Sequence, residues 1–350
     1  MSLEYFRPNI RSLDGYTPGE QPQQGKFIKL NTNENAYAPP DSVLQAIRGV
    51  DGVRLSRYPD PDATAFRAAA ATVLGVESDC ILCGNGSDDL LTILVRAFAG
   101  EGDTVRYSYP GYILYPTLCD IQGCLGEPVR YEKNWSMNDS FSANANHLRL
   151  AVLANPNSPS GTVLGADQIL KFADTLPCPL VVDEAYVDFA DEHCLALVRE
   201  RPNLIVTRSM SKSHALAGLR FGYLVANPTL VERLSRVKDS YNCDTLSIVG
   251  ATAAILDQRW STENREKIKS TRSRMHQALS EMGFAIPHSQ ANFLWCTRSD
   301  KRTRDIYEKL KLERILVRYM EYPEWGDGLR ITVGTDPQVD ALLEILPSML

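Results

Sequence analysis

"LRLAVLANPNSPSG", residues 148–161, sets a nearly continuous apolar run against a turn of asparagine, proline, serine and glycine. A strand with one face in water alternates apolar and polar residues, whereas a strand covered on both faces stays apolar throughout, as parallel sheets require. "PLVVDEAY" (179–186) and "NLIVTRS" (203–209) repeat the pattern, and "CILC" (80–83), "TVRYS" (104–108), "PVRYE" (128–132) and "FGYLVAN" (221–227) add further short strands. Between strands lie stretches with helical spacing, such as "SDDLLTILVRAFA" (87–99), in which Leu90, Ile93, Leu94 and Ala97 share a face. This alternation from about residue 60 to 225 predicts a βαβ succession and an α/β domain with a mostly parallel sheet.

The chain changes character after about residue 262. A long helix, "STENREKIKSTRSRMHQALSEMGF", is followed by strands "ANFLWC", "RILVR" and "GLRITVG", with a helix between the first two. A last helix has Thr335 or Asp336 as N-cap, Pro337 in its first turn and Val339, Leu342, Leu343 and Leu346 on one stripe. We therefore divide the chain into an N-terminal arm (1–45), a large domain (46–245) and a small α+β domain (246–350), the arm contributing to the small domain.

Composition narrows the function classes. Lys and Arg number 37 against 43 Asp and Glu, a net charge of −6, with no basic block to track a phosphate backbone, so nucleic acid is not the expected partner. No segment reaches the length of apolar chain that a membrane span needs, and the N-terminus carries no apolar leader, so a cytoplasmic protein is expected. The eight cysteines are scattered, mostly within apolar runs, as reduced buried thiols would be. The CxxC of Cys80 and Cys83 lacks a second pair, and the five histidines form no ligand cluster, so no metal is expected.

Ligands of open parallel sheets bind beyond the carboxyl ends of the strands. "GNGSDD" (84–89) follows the first strand of the sheet, with two glycines that let backbone amides approach an anion and Ser87 placed to cap the helix. It is neither a dinucleotide fingerprint nor a P-loop, and a plain strand-to-helix turn reads equally well. Asp183 ends an apolar strand, where a carboxylate requires a cationic or hydrogen-bonding partner; a protonated ring nitrogen would serve, and helix capping is the alternative. Tyr186 lies close enough to donate to an oxygen of the same ring. Lys212 in "TRSMSKSHALAGLRFGY" (207–223) is the nucleophile candidate, because a partly desolvated amine near other cations can form a Schiff base near neutral pH. Ser209, Ser211 and Arg220 supply hydroxyls and a fork suited to a phosphate. Together these groups describe a site for pyridoxal phosphate.

With these residues in place, the chain resembles the fold-type-I pyridoxal-phosphate aminotransferases over nearly its whole length, and most closely the histidinol-phosphate aminotransferases. The resemblance rests on "NTNENAY", "RYPD", "GNGSDDLL", "YPGYILY", "NPNSPSG", "VVDEAYVDF", "SMSKSHALAGLRFGY", "ANFLW" and "GLRITVGT" in that order. It implies a large, mostly parallel seven-stranded sheet beside a smaller α+β domain. It also implies that Lys212 carries the cofactor and moves the substrate proton, that Asp183 keeps the ring nitrogen protonated, that Asn157 and Tyr186 bind the ring 3-oxygen, and that Tyr112 stacks on the ring. The family spacing favours Asn157 over Asn155 for this role. Gly86, Ser87, Asp88, Ser209, Ser211 and Arg220 would surround the phosphate, and Tyr58 would reach the site of a second subunit, so a homodimer is implied. Arg330, helped by Arg318 and Tyr37, would bind the phosphate of L-histidinol phosphate in one stroke, with glutamate and 2-oxoglutarate exchanging through the same pocket in the other. Ser158, Ser160 and Gly111 depart from the residues common in the family. An aromatic or broad-specificity transaminase, a decarboxylase of phosphorylated amino acids and a non-catalytic binding protein are the competing readings.

Overall fold

The computed structural model describes residues 3–15, 19–22 and 24–350. Strand β1 (Ile28–Leu30) lies in the N-terminal segment, and β2 (Ile81–Gly84), β3 (Thr104–Tyr109), β4 (Leu125–Arg130), β5 (Leu148–Ala154), β6 (Leu180–Asp183), β7 (Leu204–Ser209) and β8 (Gly222–Val225) form a seven-stranded sheet. Its order is β2-β8-β7-β6-β5-β3-β4. Only β8 runs antiparallel to its neighbours. Apolar runs place successive side chains on opposite faces: Ala151 and Leu153 of β5, with Val182 and Val206, enter one core, while Leu150, Val152, Val181 and Ile205 enter the other.

Strands β9 (Phe293–Cys296), β10 (Ile315–Tyr322) and β11 (Gly326–Thr332) build a second sheet, order β1-β10-β11-β9, in which β1 pairs parallel with β10. The helix Gln258–Glu281 covers it with Ile268, Met275 and Leu279, and the last helix, Asp336–Ile345, adds Val339 and Leu342. Thr335 is its N-cap and donates its backbone N–H to Gln338 Oε1 at 2.9 Å.

Three local expectations shift. Ser87 is the first residue inside the helix Ser87–Phe98, not its cap; the cap is Gly86 at φ 83°, a left-handed conformation that glycine adopts without strain. That helix buries Leu91 and Val95 and exposes Ala97, because it is covered on a wider arc than one stripe. Strand β4 begins at Leu125, three residues before "PVRYE", since it pairs along the full length of β3 from Thr104; Leu125 itself is exposed and offers no apolar signal. Among the described residues, no helix is long and apolar enough to cross a membrane.

Candidate active site

The carboxyl ends of β2, β3, β5, β6 and β7 share one rim, and the β10–β11 face of the second sheet stands over it. Between them lies a cavity of about 270 Å³ lined by Ser87, Asp88, Tyr112, Asp183, Tyr186, Ser209, Ser211, Lys212, Arg220, Arg318 and Arg330.

Asp183 is level with Ala154 and Thr207 in the sheet register, at the centre of the rim. It is 4% exposed and receives neutral donors: Tyr115 Oη–H at 2.9 Å, Thr207 Oγ1–H at 3.3 Å and the Ala185 N–H at 3.2 Å. Burial raises its pKa to about 6, against the pull of those hydrogen bonds. A buried carboxylate in this state gains strongly from a cation beside it, which is what a protonated ring nitrogen is.

Lys212 follows the end of β7 and donates from Nζ to Thr32 O at 3.1 Å. Burial lowers its pKa to about 8; Arg330 and Arg220 push the same way, and Glu34 and Asp88 oppose them. The backbone carbonyl of Lys212 accepts from Asn35 Nδ2 at 2.8 Å, and that amide also donates to Asn264 Oδ1 at 2.9 Å on the long helix.

An anion cradle lies at one end of the cavity. Arg220 donates to Ser211 Oγ at 3.3 Å and to Asp88 Oδ2 at 3.3 Å, while Tyr112 Oη–H donates to Asp88 Oδ1 at 3.1 Å. The Asp88 side chain thus holds Arg220 and Tyr112, and an incoming anion meets the helix N-terminus, the serines and the guanidinium. A Cβ on Gly86 would lie 2.6 Å from the Arg220 guanidinium, so the cradle depends on glycine there.

At the other end, Arg318 and Arg330 are direct cross-strand partners on β10 and β11. Arg330 donates to Ser158 Oγ at 3.0 Å and to Asn31 O at 3.2 Å, and its buried Nε has no acceptor among the described residues. Like charges facing each other across a ladder are destabilising, and a shared anion relieves that. Ser158, one of the departures from the family pattern, is therefore part of the arginine's support. Gly111, another departure, leaves no room for a threonine, since a Cβ there would sit 2.2 Å from Ser108 O.

Asn155 and Asn157 differ clearly. Asn155 is consumed by both backbone groups of Leu164, at 3.0 and 2.8 Å. Asn157 donates to Ser160 Oγ at 3.0 Å and Pro110 O at 3.3 Å, and its buried Oδ1 has no partner among the described residues.

Four predicted residues do not line the cavity: Gly86 and Asn157 are chain neighbours of the lining residues Ser87 and Ser158, while Tyr37 and Tyr58 stand apart. Tyr37 packs against the core of the second sheet, with Lys267 Nζ 5.7 Å from its ring centre, because the Asn35 side chain accepts the Tyr37 N–H and turns the chain away. Tyr58 is 79% exposed and stacks on Tyr241 at 4.4 Å. Residues not singled out beforehand take positions of equal weight: Tyr115 and Thr207 on Asp183, Thr32 on Lys212, and Asn33, which donates from Nδ2 to Tyr186 Oη at 3.1 Å. The cluster of asparagines in "NTNENAY" directly after a strand is a turn signal that could have marked Asn33, since asparagine tolerates a positive φ.

A sheet rim that offers a depressed lysine, a buried carboxylate in need of a cation and an anion cradle defines a pyridoxal-phosphate enzyme of fold type I. Residues 25–346 match the family of class I and II aminotransferases. The histidinol-phosphate aminotransferase of Rhodopirellula baltica is 51% identical over 97% of this chain and 94% of its own, and histidinol-phosphate aminotransferase 1 of a Nostoc species is 44% identical over 99% and 98%. The crystal structure of histidinol-phosphate aminotransferase from Sinorhizobium meliloti in complex with pyridoxal-5'-phosphate superposes with a TM-score of 0.89 at 28% identity, covering 99% of this chain and 97% of that one. The chain belongs to the class I and II aminotransferases and, among them, to the group of the histidinol-phosphate aminotransferases.

Proposed function

We infer that this protein transfers the amino group of L-histidinol phosphate to 2-oxoglutarate, yielding imidazole acetol phosphate and glutamate in histidine biosynthesis, with pyridoxal 5'-phosphate as cofactor. The observation that carries the substrate assignment is the facing pair Arg318 and Arg330, an anion site at the far end of the cavity from the Arg220 cradle. Two separate anion sites suit a phosphorylated cofactor and a phosphorylated substrate in one pocket.

Bound pyridoxal phosphate supplies an aldehyde that joins amines and a protonated ring that takes up the electron pair of the substrate α-carbon. Asp183 would hold the proton on the ring nitrogen, and that cation would offset the cost of keeping its buried carboxyl ionised. Ser209, Ser211, Arg220 and the helix start at Gly86, Ser87 and Asp88 fix the cofactor phosphate, with Tyr112 against the ring face. Tyr186 and Asn157 act at the ring 3-oxygen. Lys212 Nζ, its pKa lowered by burial to about 8, would take and return the proton of the substrate α-carbon. Arg330, seated by Ser158, and Arg318 bind the substrate phosphate in the first stroke and the distal carboxylate of glutamate in the second.

The enzyme acts as a cytoplasmic homodimer in this reading. Tyr58 and Tyr241 form an exposed aromatic pair near exposed Val53 and Leu55, a surface suited to a second copy, whose cavity Tyr58 completes.

A single-turnover spectrum tests the function. Holoenzyme mixed with L-histidinol phosphate should lose its visible band rapidly and recover it with 2-oxoglutarate. Faster loss with L-phenylalanine would make the protein an aromatic transaminase, and release of CO2 without any need for 2-oxoglutarate would make it a decarboxylase.

A further inference from the structure

Asn33 is buried, adopts φ 54°, and is held on every polar atom. Its N–H donates to Thr332 Oγ1 at 3.0 Å, its Oδ1 lies 3.1 Å from the same hydroxyl, and its carbonyl accepts from Asn292 Nδ2 at 3.0 Å. The Thr332 hydroxyl donates to Asn33 Oδ1, and the amide nitrogen at the other end of the side chain faces Tyr186 Oη at 3.1 Å. An amide nitrogen only donates. The Tyr186 oxygen therefore accepts from Asn33, and its own proton is directed away from Asn33. The ring of Tyr186 packs on the edge of Phe293 at 4.9 Å, and Lys212 Nζ lies 5.8 Å from the ring centre.

We propose that Asn33 is a positioning residue which, through the chain Thr332–Asn33–Tyr186, aims the Tyr186 hydroxyl proton into the cavity, at the 3-oxygen of the cofactor ring. The proposal rests on the cofactor placement given under Proposed function. It gives the arm a part in tuning the site: with Asn33 in place, Tyr186 is a committed donor, and a donor on the 3-oxygen weakens that oxygen's hold on the proton it shares with Lys212 Nζ. Asn33 touches neither cofactor nor substrate.

The test is the pH titration of the visible band of the holoenzyme, read without substrate. Asn33→Asp keeps size and tolerance of positive φ but replaces the donor by an acceptor that draws the Tyr186 proton back; the midpoint should rise by about one pH unit. Asn33→Gly keeps the backbone conformation, adds no charge and removes the donor, so it should raise the midpoint by a smaller amount. Tyr186→Phe should raise it as well, and neither Asn33 variant should add to that shift in the Tyr186→Phe background. Unchanged midpoints in both Asn33 variants, beside a shifted Tyr186→Phe, would overturn the proposal and leave the cofactor placement standing. Shifts that persist in the Tyr186→Phe background would overturn it too, because Asn33 would then act on the cofactor by its charge. No shift in Tyr186→Phe itself would overturn both the proposal and the placement of Tyr186.

Discussion

Replacing Asp183 with asparagine should make the apoprotein more stable while impairing the enzyme. The carboxyl is 4% exposed and surrounded by neutral donors, and burial lifts its pKa from the ordinary 3.8 to about 6. At about 1.4 kcal/mol for each pH unit, keeping it ionised in the folded apoprotein costs roughly 3 kcal/mol. Asparagine is nearly isosteric and can accept from Tyr115, but its amide nitrogen would face a donor at the Ala185 N–H, which returns about 1 kcal/mol. The net expectation is a gain of about 2 kcal/mol above pH 7, a few degrees in midpoint. The sign follows from linkage: a folded pKa above the unfolded one contributes stability that is present below 3.8 and lost as pH rises through about 6. The variant should therefore be slightly less stable than the wild type near pH 4, gain on it between pH 4 and 6, and hold a constant advantage above. Chemical unfolding of both apoproteins across this range measures it. With pyridoxal phosphate added the order should reverse, since only the carboxylate gains from the ring cation. An apo variant no more stable than the wild type at pH 8, or a gain independent of pH, would refute the account of Asp183 as a carboxylate awaiting a cation.

Lys212→Ala should lose transamination while retaining cofactor noncovalently; near-normal turnover would remove Lys212 from its assigned place. Ser158→Ala removes one of the two acceptors that seat Arg330 and should raise KM for histidinol phosphate several-fold, about 1 kcal/mol, with a smaller change in kcat; an unchanged KM would detach Ser158 from substrate binding. Mixing inactive Lys212→Ala with a Tyr58→Ala variant should restore part of the activity through hybrid dimers, in which one site regains both residues, and no recovery on subunit exchange would place Tyr58 outside the partner's site.

The large sheet was legible because its central strands β5, β6 and β7 are buried on both faces, so each announces itself as an apolar run ended by polar residues. Asp183, Lys212 and Ser209 could be found for the same reason: a charge or hydroxyl at the end of such a run has few structural explanations. Contacts made across long stretches of chain left no such mark. Tyr186 and Asn33 are 153 positions apart, Arg330 and Ser158 are 172 apart, and no local pattern encodes either pair. Tyr115 hides as one more buried helical aromatic, although its hydroxyl reaches Asp183. Tyr37, expected near the site from its proximity to "NTNEN", packs on the core of the second sheet beyond the side-chain-to-backbone turn at Asn35, a long-range placement that the local sequence does not encode.

The two anion stations belong to different sheets, Arg220 beside the large one and Arg318 with Arg330 on the small one, and each sheet is built around its own core. The separation between the stations is thus set by how the two cores sit against each other, as the gap of a calliper is set by its jaws. Under the proposed function, histidinol phosphate and glutamate differ in length, yet both would bring an α-carbon to Lys212 while an anion reaches the arginines. Residues packed between the two cores, which touch no substrate, therefore bear on which substrate lengths the proposed site accepts.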